Sequence, residues 1–286
     1  MLWQLLSLST AFFESLKDMF GKKNLNNVNE YVVAFAVRFF PMIIYIPLLF
    51  YIGIPKIGEH FILAFFIGGI LNLFTTIMYF KAIKLSDLSL TIPMIAFTPI
   101  FLLITSPIMT KEYPTFVQII GVILVVIGAY FLRIHLRKDG IFAPFKALIS
   151  EPGPRLMLII ALIWSITANL DKIGTLNSSP IFWVIATDAF LILTTFPIML
   201  YKTRSLKPLF SNWKGLFLMG ICNGIGLITQ MAAIAQTQVA NVISIKRTSV
   251  VMSVGWGKLI FKEQNIKERL LGSVIMVAGA IIILLF

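Results

Sequence analysis

The most constraining feature of the sequence is a series of apolar segments, each about as long as the roughly 20 residues that a bilayer-spanning helix needs. Charged or turn-rich clusters separate the segments. Five lie in the first half and five in the second, at Leu2–Asp18, Tyr31–Tyr51, Phe61–Phe80, Leu88–Met109, Thr115–Leu132, Leu156–Asn169, Ile181–Tyr201, Trp213–Gln236, Val239–Ile260 and Ile266–Phe286. Because their length is that of helices rather than of alternating barrel strands, they predict an all-α integral membrane protein with ten transmembrane helices.

The composition supports this class and excludes others. Of the 286 residues, 58% are hydrophobic and 13% are charged, which does not suit a water-facing surface. The net charge of +12 would suggest nucleic-acid binding in a soluble protein, but here it is interpreted by its position around the spans, and no nucleic-acid partner is predicted. The single cysteine, Cys222, excludes a disulfide within the chain and a multi-cysteine metal site.

The two groups of five segments are related by an internal repeat. A shift of 151 residues superposes several short motifs without a gap, and shifts of 150 and about 153 superpose others. The matches are Gly69-Ile70-x-Asn72 on Gly220-Ile221-x-Asn223, Ala82-Ile83 on Ala233-Ile234, Lys111-Glu112 on Lys262-Glu263, Gly121 and Gly128-Ala129 on Gly272 and Gly279-Ala280, Arg38-x-Phe40 on Asp188-x-Phe190, and Asp18 on Asp171. Such an ordered series indicates duplication.

The repeat predicts the domain organisation. We expect a first five-helix repeat at residues 1–133, a basic linker at 134–154 and a second five-helix repeat at 155–286. Because five is an odd number, the second copy enters the membrane in the opposite orientation. Inverted repeats of this kind are typical of secondary transporters.

Basic residues predict the orientation. Most fall at one end of the predicted spans, which we call the basic face. Its members are Lys17, Lys22, Lys23, Lys81, Lys84, Arg133, Arg137, Lys138, Lys146, Arg155, Lys202, Arg204, Lys207, Lys214, Lys258, Lys262, Lys267 and Arg269. Only Lys56, Lys111 and Lys172 fall at the other end. Since short loops rich in Lys and Arg stay in the cytoplasm, the basic face is predicted inside and both chain ends outside.

Three segments carry a family resemblance. SPIMTKEYPTFVQIIGVILVVIGAYFL and GKLIFKEQNIKERLLGSVIMVAGAIIILLF each close a repeat with a Lys-Glu turn and a Gly-rich last helix, and LIWSITANLDKIG is similar to an opening helix. Together they resemble the EamA domains of the drug/metabolite transporter superfamily over almost the whole chain. The resemblance implies a secondary transporter of the inner or plasma membrane that works by alternating access. It also implies chain ends in the cytoplasm, whereas the charge distribution predicts the reverse.

Charged residues inside the spans are the first functional candidates, because a charge at the centre of a span costs about 2.5–3.5 kcal/mol or more. Five stand out: Glu14, Arg38, Asp188, Lys246 and Arg247. From their distance to the span ends, we expect Glu14 to pair with Arg38, and Asp188 with Lys246 and Arg247. Arg38 and Asp188 occupy equivalent repeat positions, and inversion is expected to keep them apart. The two clusters are predicted to gate a central cavity, with Glu14, Arg38 and Asp188 in the gating or proton-coupling roles.

Glu14 is the leading candidate for proton coupling, because burial favours the protonated form of a carboxyl group. The small multidrug-resistance branch of the superfamily has a proton-coupling glutamate in its first helix, and the resemblance implies that role for Glu14. Uncoupled exchange or facilitated diffusion is the alternative. In a purely structural alternative, Lys246 and Arg247 reach back to the nearer interface and Glu14 caps a short first helix.

Polar and aromatic residues near mid-span are candidates for the cavity wall. The repeated amides Asn72 and Asn223 can bind either substrate or a neighbouring helix, and helix packing is the preferred interpretation. Further polar and aromatic candidates complete the predicted substrate site with Lys246 and Arg247: Thr75, Thr76, Tyr79, Trp164, Asn169, Thr229, Gln230 and Trp256.

Other residues are assigned structural roles. Trp3, Trp183 and Trp213 are predicted to anchor the helices at the membrane interfaces. Pro93, Pro99 and Pro107 bend the fourth span, as a hinge or as packing curvature. The spacing of seven residues in the Gly121/Gly128 and Gly272/Gly279 pairs predicts close helix contacts, within the chain or between subunits.

The remaining functional classes are weighed against these features. His60 and His135 fall in loops, and no nucleotide loop or Ser-His-acid set can be placed, so no catalytic residue, cofactor or metal site is predicted. The expected partners are a small-molecule substrate and membrane lipid, with a monomer or homodimer as the assembly. The substrate is predicted to be a small metabolite bearing a carboxylate, with amino acids first. A flippase of a lipid or lipid-linked precursor is the alternative transporter, and a membrane-embedded enzyme or structural subunit is the alternative of another class.

Overall fold

The computed structural model describes residues 2–109 and 115–285, and all regular structure within these ranges is helical. The α-helices are α1 (Leu2–Leu25), α2 (Glu30–Phe39), α3 (Met42–Ile52), α4 (Phe61–Leu85), α5 (Leu88–Thr91), α6 (Thr98–Met109), α7 (Val117–Phe131), α8 (Ala143–Ser150), α9 (Pro152–Leu176), α10 (Pro180–Thr203), α11 (Lys207–Ser211), α12 (Trp213–Ile234), α13 (Val239–Lys246), α14 (Thr248–Leu259) and α15 (Ile266–Leu285). Short 3-10 helices cover Ile92–Phe97 and Ile134–Asp139.

Within the described ranges, six helical stretches are long and apolar enough to cross a membrane. They are Glu30–Ile52, Phe61–Leu85, Leu88–Met109, Pro152–Leu176, Pro180–Thr203 and Trp213–Ile234. The structure therefore supports an all-helical membrane protein, while the full count of ten spans stays a prediction.

The helices pack in pairs that follow the internal repeat. The opening helix of each repeat contacts the third segment of the other: α1 packs on α12, and α9 packs on α4. The second segments, α2 and α10, pack on each other, as do the last helices, α7 and α15. The two repeats are thus interleaved rather than placed side by side, and the space between the four opening and third-segment helices is shared by both.

Four glycines hold α7 and α15 together. A Cβ atom built on Gly121 would lie 2.5 Å from the backbone oxygen of Gly279, and one built on Gly128 would lie 2.6 Å from the oxygen of Gly272. A Cβ atom built on Gly279 or on Gly272 would in turn lie against the backbone oxygen of Gly121 or of Gly128. The predicted close contact of these glycine faces is therefore present, and it lies within the chain, where two backbones approach without an intervening side chain.

Two segments at equivalent repeat positions are broken. The fourth predicted span changes from α5 to a 3-10 helix at Ile92–Phe97 and then to α6, with Pro93 at the break and Pro99 just after it. A shift of 151 carries 92–97 onto 243–248, where α13 ends at Lys246 and α14 begins at Thr248. Discontinuous helices expose backbone groups at mid-membrane in transporters. Pro107, in contrast, lies inside the continuous helix α6.

The structure corrects several predicted boundaries. The first span was expected to end at Asp18, but α1 continues to Leu25, which places Lys17 and Asp18 inside the helix, at 5% and 1% exposure. Lys17 is therefore not part of the basic face. The sixth span is also longer than Leu156–Asn169, because α9 covers Pro152–Leu176. Met1, Lys111, Glu112 and Phe286 lie outside the described residues.

The orientation of the basic face stays a prediction, and labelling of introduced cysteines tests it. Lys138→Cys on the linker and Lys56→Cys at the opposite end are both exposed positions, while the native Cys222 is buried. We expect a membrane-impermeant maleimide added to intact cells to label Lys56→Cys and to spare Lys138→Cys until the membrane is opened. Labelling of Lys138→Cys in intact cells would reverse the assigned topology.

Candidate functional site

A cavity of about 100 Å³ lies between the two repeats. Helices of both repeats contribute its walls, and the polar members include most of the residues selected from the sequence. They are Glu14, Lys17, Arg38, Asn72, Trp164, Thr167, Asp171, Thr187, Asn223, Gln230, Lys246 and Arg247. Four of the lining side chains carry basic groups and two carry carboxylates, so the wall has a formal excess of two positive charges.

Glu14 is held between two lysines of the cavity wall. Its Oε1 accepts a hydrogen bond from Lys17 Nζ at 2.6 Å, and its Oε2 lies 3.7 Å from Lys246 Nζ. Lys246 also donates to Gln230 Oε1 at 2.7 Å. The expected pairing of Glu14 with Arg38 is therefore wrong, as is the idea that Glu14 only caps a short helix, because α1 begins twelve residues before it.

Asp18 forms a second acidic centre beside Lys17, which the sequence interpretation missed. Tyr79 Oη and Ser253 Oγ both donate to its carboxylate, the latter at 2.9 Å, and Lys17 Nζ lies 3.4 Å from Asp18 Oδ1. Since Ser253 lies on α14 and Tyr79 on α4, this carboxylate joins three helices.

Arg38 and Asp188 pair directly, contrary to the expectation that inversion keeps them apart. Arg38 Nη1 donates to Asp188 Oδ1 at 2.9 Å, and Arg38 Nη2 donates to Thr76 Oγ1 at 3.1 Å. Each residue lies eight positions after the start of its helix, and the two helices start on opposite sides of the membrane. Each residue is therefore roughly 12 Å from its own side, which leaves only about 6 Å of a 30 Å hydrocarbon layer between them. Equivalent residues near the mid-plane therefore meet, and the long arginine side chain spans the gap.

Lys246 and Arg247 do not extend to an interface. They are 7% and 3% exposed and lie at the break between α13 and α14. Among the described residues, the guanidinium of Arg247 has no hydrogen-bond acceptor and no carboxylate within ion-pair distance, and its Nε is a buried donor without a partner. The equivalent positions of the first repeat are Ile95 and Ala96, so this charge enters the cavity from one repeat only.

Asp171 brings a second incompletely bonded charge to the same cavity. Its Oδ1 accepts a hydrogen bond from Trp183 Nε1 at 2.9 Å, and within the described chain no donor is found for its Oδ2. Trp183 is consequently not an interfacial anchor, because it is 1% exposed and orients this carboxylate. The match of Asp18 with Asp171 in the repeat was the signal that could have identified both aspartates.

The amide side chains divide between packing and cavity. Asn223 lines the cavity and also donates to the backbone oxygen of Val37 at 3.1 Å, which ties α12 to α2. Asn72 lines the cavity, and its side chain has no hydrogen bond to another described residue. Thr229 is a contact between helices, with its Oγ1 2.9 Å from Thr10 Oγ1 on α1.

The remaining candidates lie in different places. Thr76, Tyr79 and Trp164 border a second, smaller cavity of about 30 Å³ next to the first, and the rings of Tyr79 and Trp164 stack with centroids 5.5 Å apart. Asn169 and Trp256 line neither cavity. Asn169 bonds to Ser165 and Ser106 between α9 and α6, and Trp256 donates to Ser15 Oγ at 3.3 Å.

A cross-repeat contact joins the two repeats near the basic face. Glu263 Oε1 and Oε2 accept hydrogen bonds from the backbone N–H groups of Leu88 and Ser89 at 2.8 and 2.9 Å, at the start of α5. Arg269 Nη1 completes the cluster by donating to Asp87 Oδ2 and Ser89 Oγ at 2.8 and 2.7 Å. The Lys-Glu turn of the second repeat thus caps the broken segment of the first.

No group of three or more His, Cys, Asp or Glu side chains within the described ranges is arranged to hold a metal ion. The cavity itself is lined by charged groups and amides. Two carboxylates, four cations and three amides line its wall, a set that suits the binding of a charged solute.

Comparison with known proteins agrees with this architecture. The chain aligns over 98% of its length with 95% of a chain in a solved crystal structure, with a TM-score of 0.68 and 16% sequence identity, which is a likeness of fold alone. No curated protein matches the sequence. The model of the EamA-like transporter family matches twice, at residues 1–134 and 152–285. The chain therefore belongs to the EamA-like transporter family and is an integral, multi-pass membrane protein.

Proposed function

We propose that the protein is a secondary transporter that carries a small zwitterionic solute, such as an amino acid, through the central cavity by alternating access. The observation that carries the proposal is the unpaired guanidinium of Arg247 in a buried cavity whose wall also contains the half-bonded carboxylate of Asp171. A buried guanidinium without a hydrogen-bond acceptor is costly, and a substrate carboxylate supplies that acceptor. Asp171 Oδ2 offers an acceptor for a substrate ammonium group.

The size of the cavity favours a small solute. Its volume of about 100 Å³ is well below the 300–1,000 Å³ or so that is usual for pockets that hold drug-sized ligands. Its wall is charged, whereas a lipid flippase needs an apolar route for acyl chains. No feature of this described cavity favours the flippase or the membrane-embedded enzyme over this carrier.

Proton coupling is the finer part of the proposal, and it rests on Glu14. The Glu14 carboxylate contacts both Lys17 and Lys246, and Lys246 lies next to Arg247 in sequence. Protonation of Glu14 would remove the negative charge that balances the two lysines. The cavity would then attract a substrate carboxylate more strongly, which links proton binding to substrate binding.

Proteoliposome flux with a pooled library of metabolites tests the carrier function. For the solute that moves, we expect Arg247→Ala to raise KM at least about 30-fold, since loss of one partner of a buried charge pair costs about 2–5 kcal/mol and 1.36 kcal/mol is tenfold. Asp171→Asn is expected to lower the preference for zwitterions over plain carboxylates. Lys258→Ala, which removes one exposed charge from α14, is the matched control and should transport normally.

The same assay contains the results that would contradict the proposal. Equal KM values for Arg247→Ala and Lys258→Ala would remove Arg247 from the substrate site. Normal proton-driven accumulation in Glu14→Gln would remove Glu14 from coupling while leaving the carrier function intact. Absence of flux for every soluble solute, with folded protein in the liposomes, would favour the alternatives.

A further inference from the structure

An apolar groove lies outside the central cavity, between α2, α10, α11 and the start of α12. Its volume is about 410 Å³, and every residue that lines it is aromatic or leucine. Phe35 and Leu209 form the buried floor, at 3% and 7% exposure. Phe39, Phe196 and Phe210 form the rim and are 43%, 39% and 68% exposed.

The groove runs along the helices from the basic face toward the middle of the molecule. Phe35 and Phe39 lie five and nine residues after Glu30, the first residue of α2, so they are roughly 7 and 13 Å from that end. Phe196 lies seven residues before Thr203, the last residue of α10, or roughly 10 Å from the same end. The groove is therefore parallel to a lipid chain and reaches most of the way through one leaflet, which is about 15 Å deep in its hydrocarbon part.

Four basic residues lie in or near the segment 206–213, which lines one side of the groove at the basic face. Lys202, Arg204, Lys207 and Lys214 are all exposed, and residues 201–214 contain no Asp or Glu. Within the described part of the chain, none of the four is in an ion pair. Lys202 Nζ lies 5.9 Å from the centroid of the Tyr31 ring at the start of α2, which places this charge at the mouth of the groove.

We propose that this groove binds one anionic phospholipid of the surrounding leaflet, with an acyl chain between α2 and α10 and the headgroup phosphate among Lys202, Arg204, Lys207 and Lys214. The preference of basic residues for one membrane face accounts for the sign of these charges. It does not account for their position beside a groove that is lined only by aromatic residues and leucines. Charge complementarity selects an anionic headgroup over a zwitterionic one, because the phosphate charge of a zwitterionic lipid is already balanced.

Native mass spectrometry of the full chain tests the proposal, with phosphatidylglycerol and phosphatidylcholine of identical acyl chains as probes. We expect wild-type protein to retain phosphatidylglycerol in preference to phosphatidylcholine. Lys207→Gln with Lys214→Gln is expected to weaken phosphatidylglycerol binding about tenfold. Arg137→Gln with Lys138→Gln makes the same change of charge at two exposed positions of the linker and should bind as wild type does.

A second measurement locates the acyl chain. Trp213 lines the groove and is 50% exposed, so phosphatidylglycerol with a brominated acyl chain should quench its fluorescence at low molar ratios of lipid to protein. Trp213→Phe should remove the part of the quenching that comes from Trp213. The variant keeps the other four tryptophans, so their fluorescence remains as a reference.

Each outcome either supports or overturns the lipid site. Selective loss of phosphatidylglycerol in the Lys207/Lys214 variant, together with quenching that depends on Trp213, supports the site. Equal retention of the two lipids, equal losses in the two double variants, or quenching that is unchanged in Trp213→Phe would each overturn it. Because these readouts do not involve transport, they test the lipid site independently of the carrier function.

Discussion

Replacement of Arg38 by alanine is expected to destabilise the protein by about 3–5 kcal/mol, because it leaves the buried carboxylate of Asp188 without its charge partner. Arg38 Nη1 is the hydrogen-bond donor to Asp188 Oδ1, and Asp188 Oδ2 is a buried acceptor without a partner in the described structure. Asp188 is only 1% exposed, so its carboxylate relies on Arg38 rather than on bulk solvent for a charge partner. The free energy of unfolding in detergent micelles, from denaturant titration, measures the effect.

The exposed pair of Lys84 and Glu30 is the matched control. Its Nζ to Oε2 distance is 2.6 Å, but the lysine side chain is 41% exposed, so Lys84→Ala should cost below about 1 kcal/mol. The double variant Arg38→Met with Asp188→Leu should regain most of the stability lost in Arg38→Ala, since it removes both charges. Similar losses in Arg38→Ala and Lys84→Ala would show that the pair at the centre of the molecule is solvated.

Substitution of Gly279 by alanine is the second large effect that we expect, with a loss of about 1–3 kcal/mol. The added methyl group would lie 2.5 Å from the backbone oxygen of Gly121 and 2.8 Å from the backbone nitrogen of Val125. These are main-chain atoms of α7, which cannot move aside as a flexible side chain can. The helices would have to separate along their whole contact, and thermal unfolding in detergent should report the change.

Gly255 on α14 supplies the control for this experiment. A Cβ atom at Gly255 meets no atom within 4 Å, so Gly255→Ala should be neutral or should stabilise its helix by up to about 1 kcal/mol. Gly128→Ala should repeat the loss seen at Gly279, because its Cβ would lie 2.6 Å from the oxygen of Gly272. Equal unfolding midpoints for Gly279→Ala and Gly255→Ala would mean that α7 and α15 are not in such close contact.

The internal repeat allowed much of the fold to be predicted from the sequence. The Gly121/Gly128 and Gly272/Gly279 spacing indicated the contact of the two last helices, since small residues at a fixed spacing permit close approach of backbones. Helix ends were predicted less well. The first span was predicted to end at Lys17 and Asp18 because the apolar run stops there. Hydropathy alone cannot show that these two charges pair with each other inside the protein.

The central charges were identified from the sequence, but their pairing was not. Depth estimates place each residue along one axis only, so they could not show that Arg38 of α2 faces Asp188 of α10 across the mid-plane. The break at Lys246 and Arg247 also lacked a sequence signal, because no proline or glycine precedes it, unlike the equivalent break at Pro93. Asp171 was visible only as the repeat counterpart of Asp18, and its role depends on a hydrogen bond from Trp183 that spans twelve residues.

The cap that Glu263 places on α5 has a consequence for how sequences of this fold can diverge. Its two donors are main-chain N–H groups, which every residue except proline provides, so exchange of Leu88 or Ser89 leaves the donors unchanged. A single change at position 263 removes both acceptors at once. The contact between the repeats therefore tolerates substitution on one side and depends on one residue on the other, so homologues that keep this contact are expected to keep an acidic residue at position 263.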